Sequence, residues 1–168
     1  NIDTICYKYI PESAQLAIAL ETGIVDMAIG LSGAETERFL NEEGAAAEGY
    51  SESHYLSSLY QGMVINMDYD SIFYNDKNLR EAILRCIDKQ ALVTAALDNK
   101  GTVCYTLGSE NFGDFQDKWK SEDYFDYDMA KAKELLANSD YDGTSIRIVT
   151  DTNEVRQKEA QLIGAFLG

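Results

Sequence analysis

The chain of 168 residues carries 29 acidic and 14 basic side chains, so its formal net charge is −15 at pH 7. A negative field of this size repels phosphate backbones and anionic lipid headgroups, so nucleic acid is not expected as a partner. Hydrophobic residues make up 45% of the sequence, which is enough for a core. The longest apolar runs, however, are far shorter than the roughly 20 residues of a membrane span.

The first thirty residues alternate between strand and helix signals. The sequence starts at Asn1 without a basic or apolar leader, and we expect it to be a fragment from which any targeting segment is missing. Residues 2–10 alternate apolar and polar side chains as a half-buried strand does. A helix is predicted next, with Ser13 as its N-cap and Gly23 as the left-handed residue that stops it. Residues 24–30 are predicted as a second strand. The buried face of the helix that follows Ser13 is predicted to contain Leu16, Ala17 and Leu20.

The next segments continue this pattern. Ser32 and Glu35 have the spacing of a capping box, which predicts a helix over residues 34–43. Residues 45–53 carry a weaker signal, that of a short strand or a loop. Residues 55–68 are dense in apolar and aromatic side chains, which predicts a buried strand.

Two short helices with an aspartate before each are predicted over residues 76–97. Asp76 is placed to accept hydrogen bonds from the first turn of one helix, and Asp88 from the first turn of the next. Glu81 and Arg85 have the spacing of an ion pair on the outer face of the first helix. The inward faces of the two helices are predicted to contain Leu79, Ile83, Cys86 and Ile87 in the first and Leu92, Val93, Ala96 and Leu97 in the second.

A polar and aromatic connector, residues 98–125, leads to the last elements. Asp128 is the predicted N-cap of a helix whose buried stripe contains Met129, Ala132, Leu135 and Leu136. A strand over residues 145–151 and an amphipathic helix over residues 154–167 complete the order. Alternating strands and helices predict an α/β fold with a largely parallel or mixed sheet.

Four motifs in this order resemble the middle of the family 5 extracellular solute-binding proteins, the oligopeptide-, dipeptide- and nickel-binding subunits of ABC importers. The motifs are GIVDMAIG, VINMD, NDKNLREAILRCIDKQALV and DYDMAKAKELLANSDYDG. Phe73 lies just before the third motif, three residues before Asp76, and within the motif Arg80, Ala82 and Asp88 fall at the positions that the family pattern specifies. The resemblance spans nearly the whole chain, but the family's proteins are much longer.

The resemblance implies a fold and a division into lobes. The expected fold is α/β and of the type II periplasmic-binding class, with mixed sheets flanked by helices and two incomplete lobes. Residues 1–60 would belong to lobe I and residues 61–168 to lobe II, with the hinge crossing near residues 59–66. The ligand would be captured between the lobes, as in other proteins that close by hinge motion.

The resemblance also implies a function. We expect the substrate-binding component of an ABC transporter, which captures a small solute, most simply a short peptide, and delivers it to a membrane permease without catalysis, cofactor or metal. The complete protein would be extracellular or periplasmic and tethered as a lipoprotein. An acidic module that binds a basic protein and a hydrolase that uses carboxylates are the alternatives.

The expected ligand-facing residues are Tyr60, Gln61, Gly62 and Met63. The family's inter-lobe strand precedes its Asn-ended VIN motif, and a glycine inside a buried strand often marks a close approach by a ligand or another backbone. Main-chain pairing there would bind peptides without selecting their side chains. The alternative is that Gly62 marks a bulge and that Met63 is part of the core.

Individual residues with chemical potential are few. His54 is the single histidine and has no nucleophile motif nearby, so we interpret it as a surface or loop residue. Cys6, Cys86 and Cys104 lack metal-ligand spacing and lie in apolar surroundings, which favours buried free thiols, although a disulfide between two of them stays open.

Three further features admit a functional and a structural interpretation. The acidic stretch that contains Asp123, Asp126 and Asp128 lacks the order of a calcium loop, which favours a capping aspartate in a solvated segment. Arg80 is either a ligand clamp or, as its place in a first helical turn favours, part of a structural ion pair. Trp119 and its aromatic neighbours either form a platform for a ligand or pack under the connector, and packing is favoured.

Overall fold

Helices form the regular secondary structure of the residues that the computed structural model describes, which are 2–53, 60–104, 106 and 110–168. The α-helices are α1 (Ser13–Glu21), α2 (Gly33–Thr36), α3 (Lys77–Cys86), α4 (Lys89–Leu97), α5 (Met129–Ala137) and α6 (Glu154–Leu167). Two 3-10 helices lie at Glu37–Phe39 and Asp117–Ser121. The chain divides into two compact units, Asn1–Tyr55 and Leu56–Gly168.

The C-terminal end of α1 confirms the predicted stop. Gly23 has a φ of +70°, a conformation that glycine adopts without steric cost. The N–H of Gly23 donates to the carbonyl of Leu20 at 3.2 Å, and the N–H of Ile24 donates to the carbonyl of Ala19 at 2.8 Å. These two bonds form a Schellman motif, which satisfies carbonyls that the helix itself leaves without donors.

The N-terminal end of α1 differs from the prediction. Glu12 occupies the N-cap position without a side-chain bond, and Ser13 is the first helical residue. The hydroxyl of Ser13 instead accepts the backbone N–H of Ser32 at 2.8 Å, which ties α1 to the start of α2. The prediction of Ser13 as a cap is therefore wrong, because a partner 19 residues away in sequence takes up its hydroxyl. Of the predicted inward residues, Ala17 is buried, while Leu16 and Leu20 are half-buried.

The capping box at α2 is half formed. Ser32 accepts the backbone N–H of Glu35 at 3.3 Å as predicted, but the Glu35 carboxylate pairs with Arg38 at 2.7 Å. The helical segment is also shorter than predicted and ends at Phe39 rather than near residue 43. Phe39 is buried, and its ring meets the edge of Tyr50 with a centroid separation of 4.9 Å. This aromatic contact holds the chain reversal that follows α2.

In the second unit the two Asp-capped helices form as the sequence predicts. Asp76 Oδ1 accepts the N–H of Leu79 at 2.8 Å at the start of α3, and Asp88 Oδ1 accepts the N–H of Ala91 at 2.9 Å at the start of α4. Ile87 is extended, with φ −87° and ψ 110°, and breaks the helix between them. The prediction of two consecutive helices is confirmed.

One face of α3 forms the centre of the core. Leu79, Ile83 and Ile87 are buried and packed together, as the spacing predicts. Cys86 is half-buried rather than buried, since it lies at the edge of this face. Val93 and Ala96 are the buried residues of α4. Partly buried side chains cover the cluster, namely Met63, Phe73, Leu92, Tyr141, Ile146, Ile163, Phe166 and Leu167.

Helix α5 begins at the predicted cap but buries less than predicted. Asp128 Oδ1 accepts the N–H of Lys131 at 2.9 Å. Ala132 is buried, whereas Met129 and Leu135 are half-buried and Leu136 is 43% exposed. The prediction of Leu136 as a buried residue is wrong for the described structure, because no described element covers that side of α5.

Helices α3 and α5 are joined antiparallel at both ends. At the start of α3, Asp76 Oδ2 accepts the N–H of Asp140, which follows α5, at 2.8 Å. At the end of α3, the carbonyl of Arg85 accepts the N–H of Asp128, which precedes α5, at 3.0 Å. Asp76 therefore caps α3 with one oxygen and holds the end of α5 with the other. Helix α6 occupies the predicted residues and packs on α3 and α4.

The predicted strands are the main correction. Residues 2–10, 24–30, 60–68 and 145–151 form no strand in the described structure, and the one pairing found there is an isolated antiparallel bridge between Leu40 and Ala46. The physical reason is that a strand requires a neighbouring strand for its backbone hydrogen bonds, and the described residues supply none to these segments. Large apolar side chains on these segments are exposed, among them Ile5, Tyr7, Tyr9, Met27, Ile29, Val64 and Val149.

The two aspartate caps give a stability prediction. Asp88→Ala removes one capping bond and is expected to lower the free energy of unfolding by about 1 kcal/mol. Asp76→Ala removes a capping bond and the bond to Asp140, so its loss is expected to be larger, about 2 kcal/mol. Urea unfolding followed by circular dichroism measures both. Equal losses for the two variants would contradict the double role of Asp76.

Candidate functional site

The segment that the sequence predicts to face a ligand lies outside helices and strands and is largely exposed. Tyr60, Gln61 and Gly62 are exposed, and Tyr60 retains 47% of its accessible surface. A Cβ built on Gly62 would meet no atom within 4 Å, and its φ lies outside the left-handed region. Nothing among the described residues therefore requires a glycine at this position.

Met63 lies on the other side of this segment and contacts the core. It packs on the cluster formed by Leu79, Ile83 and Ile87, while Val64, the next residue, is 94% exposed. Successive side chains thus alternate between the core and solvent, as they do along a strand. The backbone of residues 60–65 forms no hydrogen bond with another described residue. The segment has the side-chain pattern of a strand and an edge that is open for pairing.

Asn66 stabilises the turn between this segment and the loop before α3. Its side-chain oxygen accepts the N–H of Asp68 at 2.9 Å, and its carbonyl accepts the hydroxyl of Ser71 at 3.0 Å. Such local bonds from asparagine stabilise turns. The Asn-ended motif therefore ends residues 60–65 for a local structural reason.

Arg80 braces the same loop. Its Nη1 donates to the carbonyls of Phe73 and Tyr74, the second at 3.1 Å. Among the described residues its partners are backbone carbonyls rather than a carboxylate. Arg80 therefore stabilises the loop through hydrogen bonds to the main chain, and not through the predicted ion pair. Each carbonyl that Arg80 binds lies in the turn that delivers Asp76 to α3.

An open depression of about 250 Å³ lies beside this brace. It is smaller than the roughly 300–1,000 Å³ of typical small-molecule sites. Two of its three acidic members hold protein donors, since Asp76 accepts two backbone N–H groups and Asp142 accepts the N–H of Thr144 at 2.9 Å. The hydroxyl of Thr144 and, to a smaller extent, its backbone N–H donate to Asp142 and hold the pKa of this carboxyl below its usual range. The depression is lined by Ser71, Ile72, Asn75, Asp76, Leu79, Asp140, Tyr141 and Asp142.

The acidic stretch near α5 has structural partners. Asp123 forms a fork with Arg85, at 2.6 and 3.1 Å, and Asp128 caps α5. Among residues 2–53, 60–104, 106 and 110–168, no group of three or more His, Cys, Asp or Glu side chains has the arrangement of a metal site. The interpretation of Asp128 as a cap is confirmed.

Aromatic and thiol groups are placed as follows. Trp119 is half-buried, and Phe115 meets its ring edge-on with centroids 5.5 Å apart. Cys86 and Cys104 are half-buried free thiols, and burial raises the pKa of each. Cys6 is exposed, so the prediction that it is buried is wrong for the described structure. His54 and residues 55–59 of the predicted buried strand, of which residue 59 is the start of the predicted hinge crossing, lie outside the described residues.

None of the helices in the described part of the chain has the length and apolar character needed to cross a bilayer.

Comparison with known proteins identifies the class. The whole chain, residues 1–168, matches the middle region of the bacterial extracellular solute-binding proteins, family 5, and the chain belongs to that family. The resemblance carried by the four motifs is thereby confirmed. Membership implies a type II periplasmic-binding fold, although the described residues contribute helices and no strands to it.

A curated relative gives a more particular likeness. The chain is 24% identical over 148 residues to the oligopeptide-binding protein AppA of Bacillus subtilis (strain 168), and this match covers 86% of the chain and 25% of the relative. The chain thus spans about a quarter of the length of the curated relative that it matches. The comparison with solved structures found no significant match.

The fork between Arg85 and Asp123 gives a pH prediction. Bonds from Arg85, and then from the N–H of Asp126, lower the pKa of Asp123 from its ordinary 3.8 to about 2. A depressed carboxyl pKa in the folded state adds stability above the unfolded value, and this stability is lost as the pH falls through the folded value. Wild-type protein is therefore expected to lose more stability than Asp123→Asn between about pH 4 and pH 2.

Urea unfolding at a series of pH values measures this difference. Asp117→Asn, at a carboxylate on the same connector that is 93% exposed, is the matched control and is expected to follow the wild type. Parallel stability curves for the wild type and Asp123→Asn would contradict the assignment.

Proposed function

We propose that this chain is part of the substrate-binding component of an ABC importer, which captures a short peptide between two lobes and delivers it to a membrane permease. The observation that carries the proposal is the match of the whole chain to family 5 of the extracellular solute-binding proteins. The name of the relative, an oligopeptide-binding protein, supports a peptide as the solute. The proposed process is binding without turnover, and it requires no cofactor.

The proposal includes a two-lobed architecture. Residues 1–60 would contribute to lobe I, residues 61–168 to lobe II, and residues 59–66 to the crossing between them. The separation of the chain into two compact units near this crossing supports such a division. In the complete protein, residues 2–10, 24–30, 60–68 and 145–151 would join mixed sheets flanked by the helices. Their exposed apolar side chains and the alternation at Met63 and Val64 support this part of the proposal.

Within that architecture we assign ligand contact to Tyr60, Gln61 and Gly62, with Met63 anchoring the segment to the core. The open backbone edge of residues 60–65 favours strand-like pairing with a peptide main chain. Main-chain pairing provides affinity while leaving side-chain selectivity low, which suits a carrier of varied peptides. The exposed surface at Gly62 leaves space for such an approach.

The cellular setting follows from the same proposal. The family consists of extracellular proteins by its description. We place the complete protein on the outer side of the cytoplasmic membrane, in the extracellular space or the periplasm, tethered as a lipoprotein near its permease.

Calorimetry on the complete protein tests the function. Short unmodified peptides are expected to bind at one saturable site, with an affinity that changes little between low and high salt. Free amino acids serve as the control ligands, and mass spectrometry of the recovered peptide tests for turnover. Binding of only a basic protein, lost steeply at high salt, would indicate an acidic interaction module instead. Cleavage of the peptide would indicate a hydrolase.

A pair of glycine variants tests the site. Gly62→Val in the complete protein is expected to retain thermal stability and to weaken peptide binding about tenfold or more, because the new side chain fills the open space through which the ligand approaches the segment. Gly113→Val is the matched control, since Gly113 also has open space around a built Cβ and a φ outside the left-handed region. Lost stability with unchanged affinity would show that Gly62 has only a packing role.

A further inference from the structure

The connector that precedes α5 contains a braced segment. We call residues 117–128 the strap; it runs from the 3-10 helix to the N-cap of α5. Lys120 pairs with Glu110 at 2.8 Å and with Asp117 at 3.3 Å, and its ammonium lies 5.6 Å from the ring centroid of Phe115. Phe115 in turn contacts Trp119. These contacts stiffen the start of the strap without involving α3, α4 or α5.

Arg85, near the end of α3, holds the other half of the strap. Its two terminal nitrogens bind both carboxylate oxygens of Asp123, at 2.6 and 3.1 Å, and its Nε binds Glu81 at 3.1 Å. The guanidinium also lies 5.7 Å from the ring centroid of Phe125 and donates to the carbonyl of Asp126 at 3.4 Å. The Arg85 side chain is only 13% exposed, so these bonds are shielded from water on one side.

Lys89, the first residue of α4, adds a second cationic contact. Its Nζ donates to the carbonyl of Tyr124 at 2.9 Å and to that of Phe125 at 3.4 Å. Phe125 has a φ of +58°, which is rare for a bulky side chain and is maintained only where surrounding contacts compensate for the strain. Arg85 and Lys89 supply those contacts on both sides of the strained residue.

The strap differs from the core in what holds it. None of residues 117–128 is buried, whereas α3 is held by the apolar cluster around Leu79 and Ile83. Segments with few buried apolar contacts open at a lower free energy than the core does. Cationic contacts to carboxylate and carbonyl oxygens are, in addition, weakened by salt where they face solvent.

We propose that Arg85 and Lys89 form a latch that keeps the strap on the helical core, and that the strap opens as a unit while α3, α4 and α5 stay folded. Release removes the bonds to Asp123, Tyr124 and Asp126 and lets Phe125 leave its left-handed conformation. The aromatic pair of Phe115 and Trp119 then moves with the strap. This device concerns the chain itself and does not depend on the identity of a ligand.

Hydrogen exchange on the complete protein tests the latch. In Arg85→Gln, the amides of Asp126 and Asp128 are expected to exchange about tenfold or more faster, because a charge-assisted fork is lost, while the amide of Ile83 keeps its wild-type rate. Arg85→Lys keeps the charge but not the fork, so an intermediate rate is expected. Arg156→Gln, at an arginine that is 53% exposed and pairs with Asp151, is the matched control and is expected to leave the strap unchanged.

Two additional measurements test the latch even if Arg85→Gln folds poorly. Lys89→Met removes the second contact alone and is expected to accelerate the same strap amides, and Lys131→Met on α5 is its control. In the wild type, raising the salt concentration is expected to accelerate the strap amides selectively. Strap amides that keep their wild-type rates, or that accelerate only together with those of α3, would overturn the proposal.

Discussion

The second unit depends on the two hydrogen bonds that the carboxylate of Asp76 accepts. One oxygen starts α3 and the other holds the chain that leaves α5, so a single side chain determines both where α3 begins and where α5 ends against it. Arg80 reinforces this point, because its guanidinium binds the carbonyls of the turn that carries Asp76 into place. With these ends aligned, side chains of α4 and α6 cover the apolar face of α3.

The opposite end of α3 is held by different chemistry. Arg85 and Lys89 bind carboxylate and carbonyl oxygens of the strap, and the carbonyl of Arg85 accepts the N–H of Asp128. Apolar packing in the middle and polar ties at both ends give α3 a defined register against α5. The same distribution makes the core and the strap unequal in stability, since apolar burial and exposed cationic bonds respond differently to salt.

The segments predicted as strands find no partner strand among the described residues. Met63 packs on the core and Val64 faces solvent, and residues 60–65 have an open backbone edge, yet a ladder requires a second strand. The chain belongs to family 5 and covers 25% of the relative that it matches, and the proposed function gives these segments a place in a two-lobed protein. The proposed contact with a peptide main chain uses the same open edge.

Local chemistry determined much of this protein from sequence alone. The caps at Asp76, Asp88 and Asp128, the stop at Gly23 and the extent of α6 depend on residues within a few positions of one another, so the sequence predicts them. The family motifs are also local. Only the tertiary structure decided the features that depend on other segments. The hydroxyl of Ser13 accepts the N–H of Ser32, and Arg80 donates to backbone carbonyls. Leu136 is exposed, and residues 60–68 have no strand partner among the described residues. A sequence pattern states which face of a segment is apolar, but hydrogen bonding and burial depend on which other segments are close enough to supply donors and cover that face.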